Sequence, residues 1–328
     1  MTNKIYITSD FSSSLWMFNL SLAEIKKIKK QFPQIELILI NVDNKRLNIN
    51  DKTIIYWGTR INSTILKKLP KLKWIHFGSV GTDKIRLNDL KNKKLIITNS
   101  QNINTYSITN LILMYLFDIN RKILINKKPF SSRKEYEKQF HLTKDIEHSK
   151  ILICGYGNIS KSLIEIFDKL NLNYEILSNQ EIKSKKIKSH KYKNLSNIIQ
   201  NYDIIINNLS SNIETQEIFN NDIFNKIRID ASIISIGRLN VFKTSDLNKF
   251  FRKNSNASLY IDLPEKDISQ KGLLGMNKLD NVYISPHIGG YSKSYWDNEV
   301  QLFIRNLKLF LSNKKLINIV NQNKRNFS

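Results

Sequence analysis

Short apolar runs that do not alternate with polar residues recur along this chain, and each leads into a stretch of helical periodicity. Ile151–Cys154, Ile204–Asn207 and Ser232–Ile236 are the clearest. A strand with one wet face would alternate apolar and polar side chains, so runs like these call for cover on both faces. The same pattern predicts strands at Lys4–Ser9, Glu36–Val42, Thr53–Trp57, Leu72–Phe77 and Leu95–Thr98, then at Tyr174–Leu177, Ser258–Ile261 and Val282–Ser285. Helices are expected over Ser21–Lys30, Ser63–Leu69 and Ser294–Leu311. Strands alternating with helices imply parallel sheets flanked by helices. The expected fold class is α/β, with two doubly wound parallel-sheet domains. A long helix over Asn104–Asn126, apolar nearly all round, is expected to lie buried between them. Residues 127–149 and the Lys-rich run Lys183–Lys193 read as polar loops.

A chain of 328 residues exceeds what one core usually serves, which agrees with two domains. The net charge of +24, from 52 Lys+Arg against 28 Asp+Glu, would suit a nucleic acid or an anionic membrane. Only ten of those cations are Arg, and no nucleic-acid reading motif is visible. The bias toward Lys, Asn and Ile runs through the whole chain, core runs included. The charge therefore reads as Lys on an ordinary surface, with neither nucleic acid nor membrane expected as a partner. The lone Cys154 leaves no disulfide framework and no Cys-rich metal site. No apolar run approaches membrane-spanning length, and MTNKIYITSDF has no secretory apolar core, so a cytoplasmic protein is expected.

The strongest local signal is Ile151-Leu-Ile-Cys-Gly-Tyr-Gly-Asn-Ile-Ser160, in which a strand runs into a glycine turn and then a helix. The sharp turn asks for Gly155, and close approach of a phosphate to the backbone asks for Gly157. The helix start at Asn158 and Ile159 offers free N–H groups and a positive dipole end. Ser160 stands where a third glycine is usual. This predicts dinucleotide binding. Where the second strand ends, Ser178, Asn179 and Gln180 stand in place of the acid that would bind a ribose diol, and lysines follow. That favours NADP over NAD.

Three later segments end predicted strands: Ser232-Ile-Ile-Ser-Ile-Gly-Arg238, Asp262-Leu-Pro-Glu-Lys-Asp267 and Ile284-Ser-Pro-His-Ile-Gly-Gly290. Together with the glycine turn they resemble the D-isomer-specific 2-hydroxyacid dehydrogenase family. The resemblance extends to Leu69–Asp83, Ile97-Thr-Asn99, Glu214-Thr215 and Leu316–Val320. It implies a Rossmann nucleotide domain over 102–292 and a smaller flavodoxin-like substrate domain from 1–101 and 293–328, with the active site in the cleft between them. The implied reaction is hydride transfer between NAD(P)H and a small 2-oxo acid or D-2-hydroxy acid. The Ser79-Val80-Gly81 loop is similar to the glyoxylate and hydroxypyruvate reductase branch. A homodimer is implied too.

By the same resemblance His287 protonates the carbonyl oxygen, Arg238 holds the carboxylate and carbonyl, and an acid orients His287. An alignment without gaps gives Asp267 that task; a small gap gives it to Glu265. Backbone N–H groups around Val80 and Gly81 bind the carboxylate. The cofactor lies against Gly155, Gly157, Asn158, Ile159, Ser178, Asn179, Leu209, Thr215, Ile236 and Asp262. Three positions depart from the family pattern: Leu239 for a glycine, Ser210 for the proline of Leu-Pro, and Asn110 for an acid in the long helix. They keep open a second reading, a diverged nucleotide-binding protein that acts through partner contacts.

Overall fold

The computed structural model describes residues 4–12, 19–44, 47–80, 95–124, 132–133, 137, 145–264, 267 and 270–320. In chain order its strands are β1 (Ile5–Ser9), β2 (Ile35–Leu39), β3 (Ile55–Gly58), β4 (Trp74–Phe77), β5 (Ile96–Asn99), β6 (Lys150–Cys154) and β7 (Asn173–Leu177). They continue with β8 (Ser189–His190), β9 (Ile204–Asn207), β10 (Ser232–Ser235), β11 (Ser258–Asp262) and β12 (Val282–Ser285). The longer helices are α1 (Leu22–Gln31), α2 (Ser63–Lys67), α3 (Thr105–Arg121), α4 (Asn158–Lys169), α5 (Thr244–Lys253) and α6 (Tyr295–Leu311). The chain divides into one unit of Met1–Asn104 with Ser292–Ser328 and another of Thr105–Tyr291.

The first unit is built on a five-stranded sheet of order β2-β1-β3-β4-β5. Every pairing in it is parallel. Helix α1 begins where Ser21 and Glu24 cap each other: the Glu24 N–H donates to Ser21 Oγ, and the Ser21 N–H donates to the Glu24 carboxylate at 2.7 Å. Trp57 and Trp74 are fully buried, and Phe303 of α6 stacks on Trp57 at 4.0 Å between ring centroids. Buried indole N–H groups need acceptors. Trp57 donates to Glu299 Oε1 at 2.8 Å, and Trp74 donates to Thr98 Oγ1 at 2.9 Å. At the end of β1, Asp10 accepts from Tyr56 Oη at 2.7 Å and from the N–H of Thr59 at 2.9 Å. Burial nevertheless raises its carboxyl above the ordinary value. A side chain at Gly58 would meet Asp10 Oδ1 at 2.1 Å, so the β3 terminus needs glycine there.

The second unit has seven parallel strands in the order β12-β11-β10-β9-β6-β7-β8. Strand order reverses between β6 and β9, which is the switch point where sheets of this kind open a crevice. Ile112, Tyr115, Leu116 and Ile119 of α3 pack with Leu163 and Phe167 of α4 on one sheet face. Phe219, Phe242, Leu247 and Phe251 fill the other.

Four expectations need correction. Glu36–Val42 is not a strand buried on both faces: β2 stops at Leu39, lies at the sheet edge, and leaves Glu36 and Leu39 exposed. The long helix ends at Arg121 rather than Asn126, because Lys122 turns left-handed at φ 57°. Nor is α3 apolar because it is buried all round; Tyr106, Met114 and Phe117 are exposed. The Lys183–Lys193 run is more than loop, since Ser189–His190 forms β8 against β7.

That edge carries an ion cluster. Glu175 of β7 accepts from Lys188 Nζ at 2.8 Å and Tyr202 Oη at 2.6 Å, and its other contact is His190 Nε2 at 2.5 Å. Burial alone would raise its carboxyl; the hydrogen bonds from Lys188, Tyr202 and His190 outweigh this and lower it to about 2. With the folded value below the ordinary 4.5, the cluster stabilises above that pH and its contribution is lost as pH falls toward 2. Thermal melts of wild type and Glu175→Gln should differ clearly at neutral pH and converge on acidification. A constant gap would show that ionisation of Glu175 is not the source.

Candidate active site

The strands of the second unit end at one level. Cys154 of β6 pairs with Asn207 of β9, Asn207 with Ser235 of β10, Ser235 with Ile261 of β11, and Ile261 with Ile284 of β12. Each singled-out loop of this unit therefore leaves the same carboxyl edge.

Gly155 adopts φ 102°, and its N–H donates to Leu177 O at 2.8 Å. A Cβ there would lie 3.0 Å from Asn208 O, so both the conformation and the packing require glycine. Gly157 is the N-cap residue of α4, and a Cβ there would meet nothing within 4 Å. Its bare Cα thus faces open space at a helix N-terminus with no acid in the first turn. Asn158 and Ile159 form that turn, while Ser160 is fully buried and accepts from Asn208 Nδ2 at 3.3 Å. These features fit a pyrophosphate.

Beyond β7, Ser178 is buried and Asn179 exposed. Asn179 Oδ1 accepts from the N–H of Tyr192 at 3.0 Å, and its Nδ2 donates to Glu214 at 3.3 Å. Lys191 Nζ donates to Asn179 O at 3.0 Å and Gln180 O at 3.2 Å. Leu209 is buried, with its N–H on Asn207 Oδ1 at 3.1 Å. Thr215 is buried as well, and its hydroxyl donates to Ser210 O at 2.7 Å, closing the 210–215 turn.

Arg238 is delivered by close packing. The N–H groups of Ile236 and Gly237 donate to Asn207 O at 3.1 and 2.9 Å, and that of Arg238 donates to Leu209 O at 3.3 Å. A Cβ at Gly237 would sit 2.8 Å from Leu209 O. Leu239 opens a short helical turn and is buried in the apolar cluster that includes Leu209 and Phe242. The departure at 239 is thus taken up by packing and does not displace the arginine's backbone ties.

His287 is exposed and holds φ 56°, a left-handed conformation that costs a non-glycine residue about 1–2 kcal/mol. Buried Asp262 holds it there. One carboxylate oxygen accepts from Ser285 Oγ and from the N–H of Ile288 at 3.0 Å; the other accepts from the N–H of Gly289 at 2.9 Å. Tyr115 of α3 donates to Ser285 Oγ at 2.7 Å. Burial pushes that phenol well above its ordinary value, keeping it a donor. Asp267 accepts from Gln270 Nε2 at 3.4 Å. Glu265 lies outside the described residues.

In the first unit, the Val80 carbonyl accepts from Asn99 Nδ2 at 2.8 Å. Gly81 lies outside the described residues. Sequence reading missed Asn207, Ser285 and Tyr115. The first two were detectable as polar residues closing apolar strands; Tyr115 gave no signal inside an apolar helix. Replacing Asp262 with Asn should speed hydrogen exchange at the Ile288 and Gly289 amides by about 10–100-fold, the value of a hydrogen bond to a charged acceptor. Unchanged exchange would mean that the loop is held by something else.

A family model described as D-isomer specific 2-hydroxyacid dehydrogenase, NAD binding domain, matches residues 113–289, more than half of the chain. A glyoxylate/hydroxypyruvate reductase of Arabidopsis thaliana is 24% identical over 262 residues, spanning 79% of this chain and 80% of that protein. The glyoxylate reductase of Pyrococcus horikoshii is 23% identical over 291 residues, spanning 86% and 84%. Among solved structures, an acyclic imino acid reductase in complex with NADPH and D-Arg superposes with TM-score 0.78 at 20% identity, covering 97% of this chain and 100% of that one. An NADPH-dependent glyoxylate/hydroxypyruvate reductase from Sinorhizobium meliloti gives TM-score 0.76 at 13% identity, covering 98% and 99%. Common architecture and the family match agree: the chain belongs to the D-isomer-specific 2-hydroxyacid dehydrogenases.

Proposed function

We propose that this protein reduces a small 2-oxo acid of the glyoxylate or hydroxypyruvate type, with NADPH preferred over NADH. The observation that carries the reading is the common edge: Arg238, the His287 loop and the glycine turn all leave one row of strand ends. The cofactor would be held by Gly155, Gly157, Asn158 and Ile159 at its pyrophosphate, by Ser178 and Asn179 at its adenosine, and by Leu209, Thr215, Ile236 and Asp262 along its length. When bound, the reduced nicotinamide supplies the hydride for the carbonyl carbon.

The chain's own residues do the rest. Arg238 presents a planar fork to the carboxylate and carbonyl oxygens. His287 donates its proton to the carbonyl oxygen as negative charge develops there. Asp267 or Glu265 steadies the protonated imidazole. The Val80–Gly81 backbone binds the carboxylate through N–H groups. Support for NADPH comes from the end of β7, where Ser178 and Asn179 replace an acid and Lys191 brings a cation, set against Glu214 on Asn179.

The test is NADPH consumption with a panel of 2-oxo acids. Turnover with none of them, despite NADPH binding, would overturn the reading; equal or better kcat/KM with NADH would overturn the preference. His287→Gln should lower kcat about 10²–10⁴-fold, the usual scale of a lost general acid. Of Asp267→Asn and Glu265→Gln, the variant that removes the partner of His287 should lower kcat/KM and move the alkaline loss of activity to lower pH. An effect of neither would remove the acid from the mechanism.

We also infer a homodimer, supported by the exposed Tyr106, Met114 and Phe117 along α3. Light scattering should give a dimer mass for wild type and a monomer mass for Met114→Glu/Phe117→Glu. A monomeric wild type would refute it.

A further inference from the structure

Between β4 and the end of the described segment at Val80, four consecutive carbonyl oxygens are tied down. Phe77 O accepts from Ser100 Oγ at 2.8 Å, and Gly78 O accepts from Tyr295 Oη at 2.8 Å. Ser79 O accepts from the Ser100 N–H at 3.4 Å, and Val80 O accepts from Asn99 Nδ2 at 2.8 Å. The donors come from the end of β5 and from the first turn of α6, all in the first unit. In a trans peptide the carbonyl points opposite to the N–H of the next residue. Fixing Ser79 O on the scaffold therefore aims the Val80 N–H away from it. That N–H makes no hydrogen bond to any described residue.

The support behind the segment is rigid and buried. Ser100 Oγ lies 2.5 Å from Glu299 Oε2, and Glu299 also takes the Trp57 indole N–H. Glu299, Ser100 and His76 are all inaccessible to solvent. A Cβ at Gly78 would lie 2.3 Å from Phe11 Cζ and 3.3 Å from Glu299 Oε1, so the segment is pressed against this support. Asn99 is itself held, since its N–H donates to Asn318 O at 3.2 Å and its carbonyl accepts from Asn318 Nδ2 at 3.2 Å.

We propose that Tyr295 and Asn99 are positioning residues for substrate: by holding the carbonyls of Gly78 and Val80, they orient this backbone to receive a carboxylate. The inference rests on the proposed reading that this loop binds the substrate's carboxylate, and it names the side chains that make the loop competent. Tyr295 acts through its hydroxyl, while its ring packs edge-on to Trp296 at 5.4 Å. Tyr295→Phe therefore removes the hydrogen bond and keeps the packing.

The experiment measures oxalate binding to the NADPH-loaded protein by calorimetry, alongside steady-state kinetics with the best 2-oxo acid. Tyr295→Phe should weaken oxalate and raise KM about three- to tenfold, the scale of one hydrogen bond. Its kcat should stay within about twofold, because a carboxylate contact serves ground and transition states alike. Affinity for NADPH should not change. Asn99→Asp, which cannot donate to Val80 O, should shift oxalate and KM in the same direction. Unchanged oxalate affinity and KM in Tyr295→Phe, with only a lower melting temperature, would overturn the inference and leave the hydroxyl a structural tie. A wild type that binds oxalate yet turns over no 2-oxo acid would sink the reductase reading, and the oxalate comparison would still decide this one. If the wild type turns over a 2-oxo acid without binding oxalate, the reductase reading stands and KM alone decides: an unchanged KM in Tyr295→Phe would overturn the inference.

Discussion

A parallel sheet covered on both faces must still do something with the backbone groups at its ends. In the second unit, side chains meet that demand. Asn207 spends its amide on Ser235 Oγ at 3.0 Å and on the N–H of Leu209, while its carbonyl takes the N–H groups of Ile236 and Gly237. Asp262 does the equivalent two strands away, gathering Ser285, Ile288 and Gly289. Unpaired groups at these places would each cost about 1–3 kcal/mol. Satisfying them fixes the departure of the loops that bear Arg238 and His287, so the stability of the sheet edge and the geometry of the candidate site share the same bonds.

The parallel α/β architecture was legible because burial on both faces leaves an unmistakable trace, as in Ile204-Ile-Ile206. The trace misled at β2. This chain uses Ile so freely that an edge strand reads like a central one, and only the sheet order reveals that Leu39 faces water. The same bias hid the exposed side of α3, where Met114 and Phe117 resemble core residues in the sequence. Short β8 was invisible because two residues among lysines carry no periodicity. At the candidate site, residue types with local jobs stood out: glycine at a turn, histidine after proline. A residue that works at a distance did not: Tyr115 reaches Ser285 across 170 positions, and the two meet only in the fold.

The charge of +24 settles into place on the same terms. Several basic side chains are occupied locally: Lys188 with Glu175, Lys191 with two backbone carbonyls, and Lys122 with Ser258 Oγ at 2.8 Å. The surplus acts as a diffuse field. It would draw anionic acids and a phosphorylated cofactor toward the protein, an attraction that weakens as ionic strength rises.

The first unit is assembled from both ends of the chain, and this bears on the order of events during synthesis. Trp57 leaves the ribosome with the first hundred residues, but the ring that stacks on it, Phe303, follows only after all of Thr105–Tyr291. At 5–20 residues per second the interval is roughly 10–40 s. Throughout it, Trp57 and Trp74 lack the aromatic cover that α6 will bring, and Trp57 lacks the carboxylate that will receive its N–H. The second unit can close its own core as it emerges, while the earlier-made unit waits. Until α6 arrives the two indoles of the earlier-made strands stay uncovered, and α6 is the piece that ends their exposure.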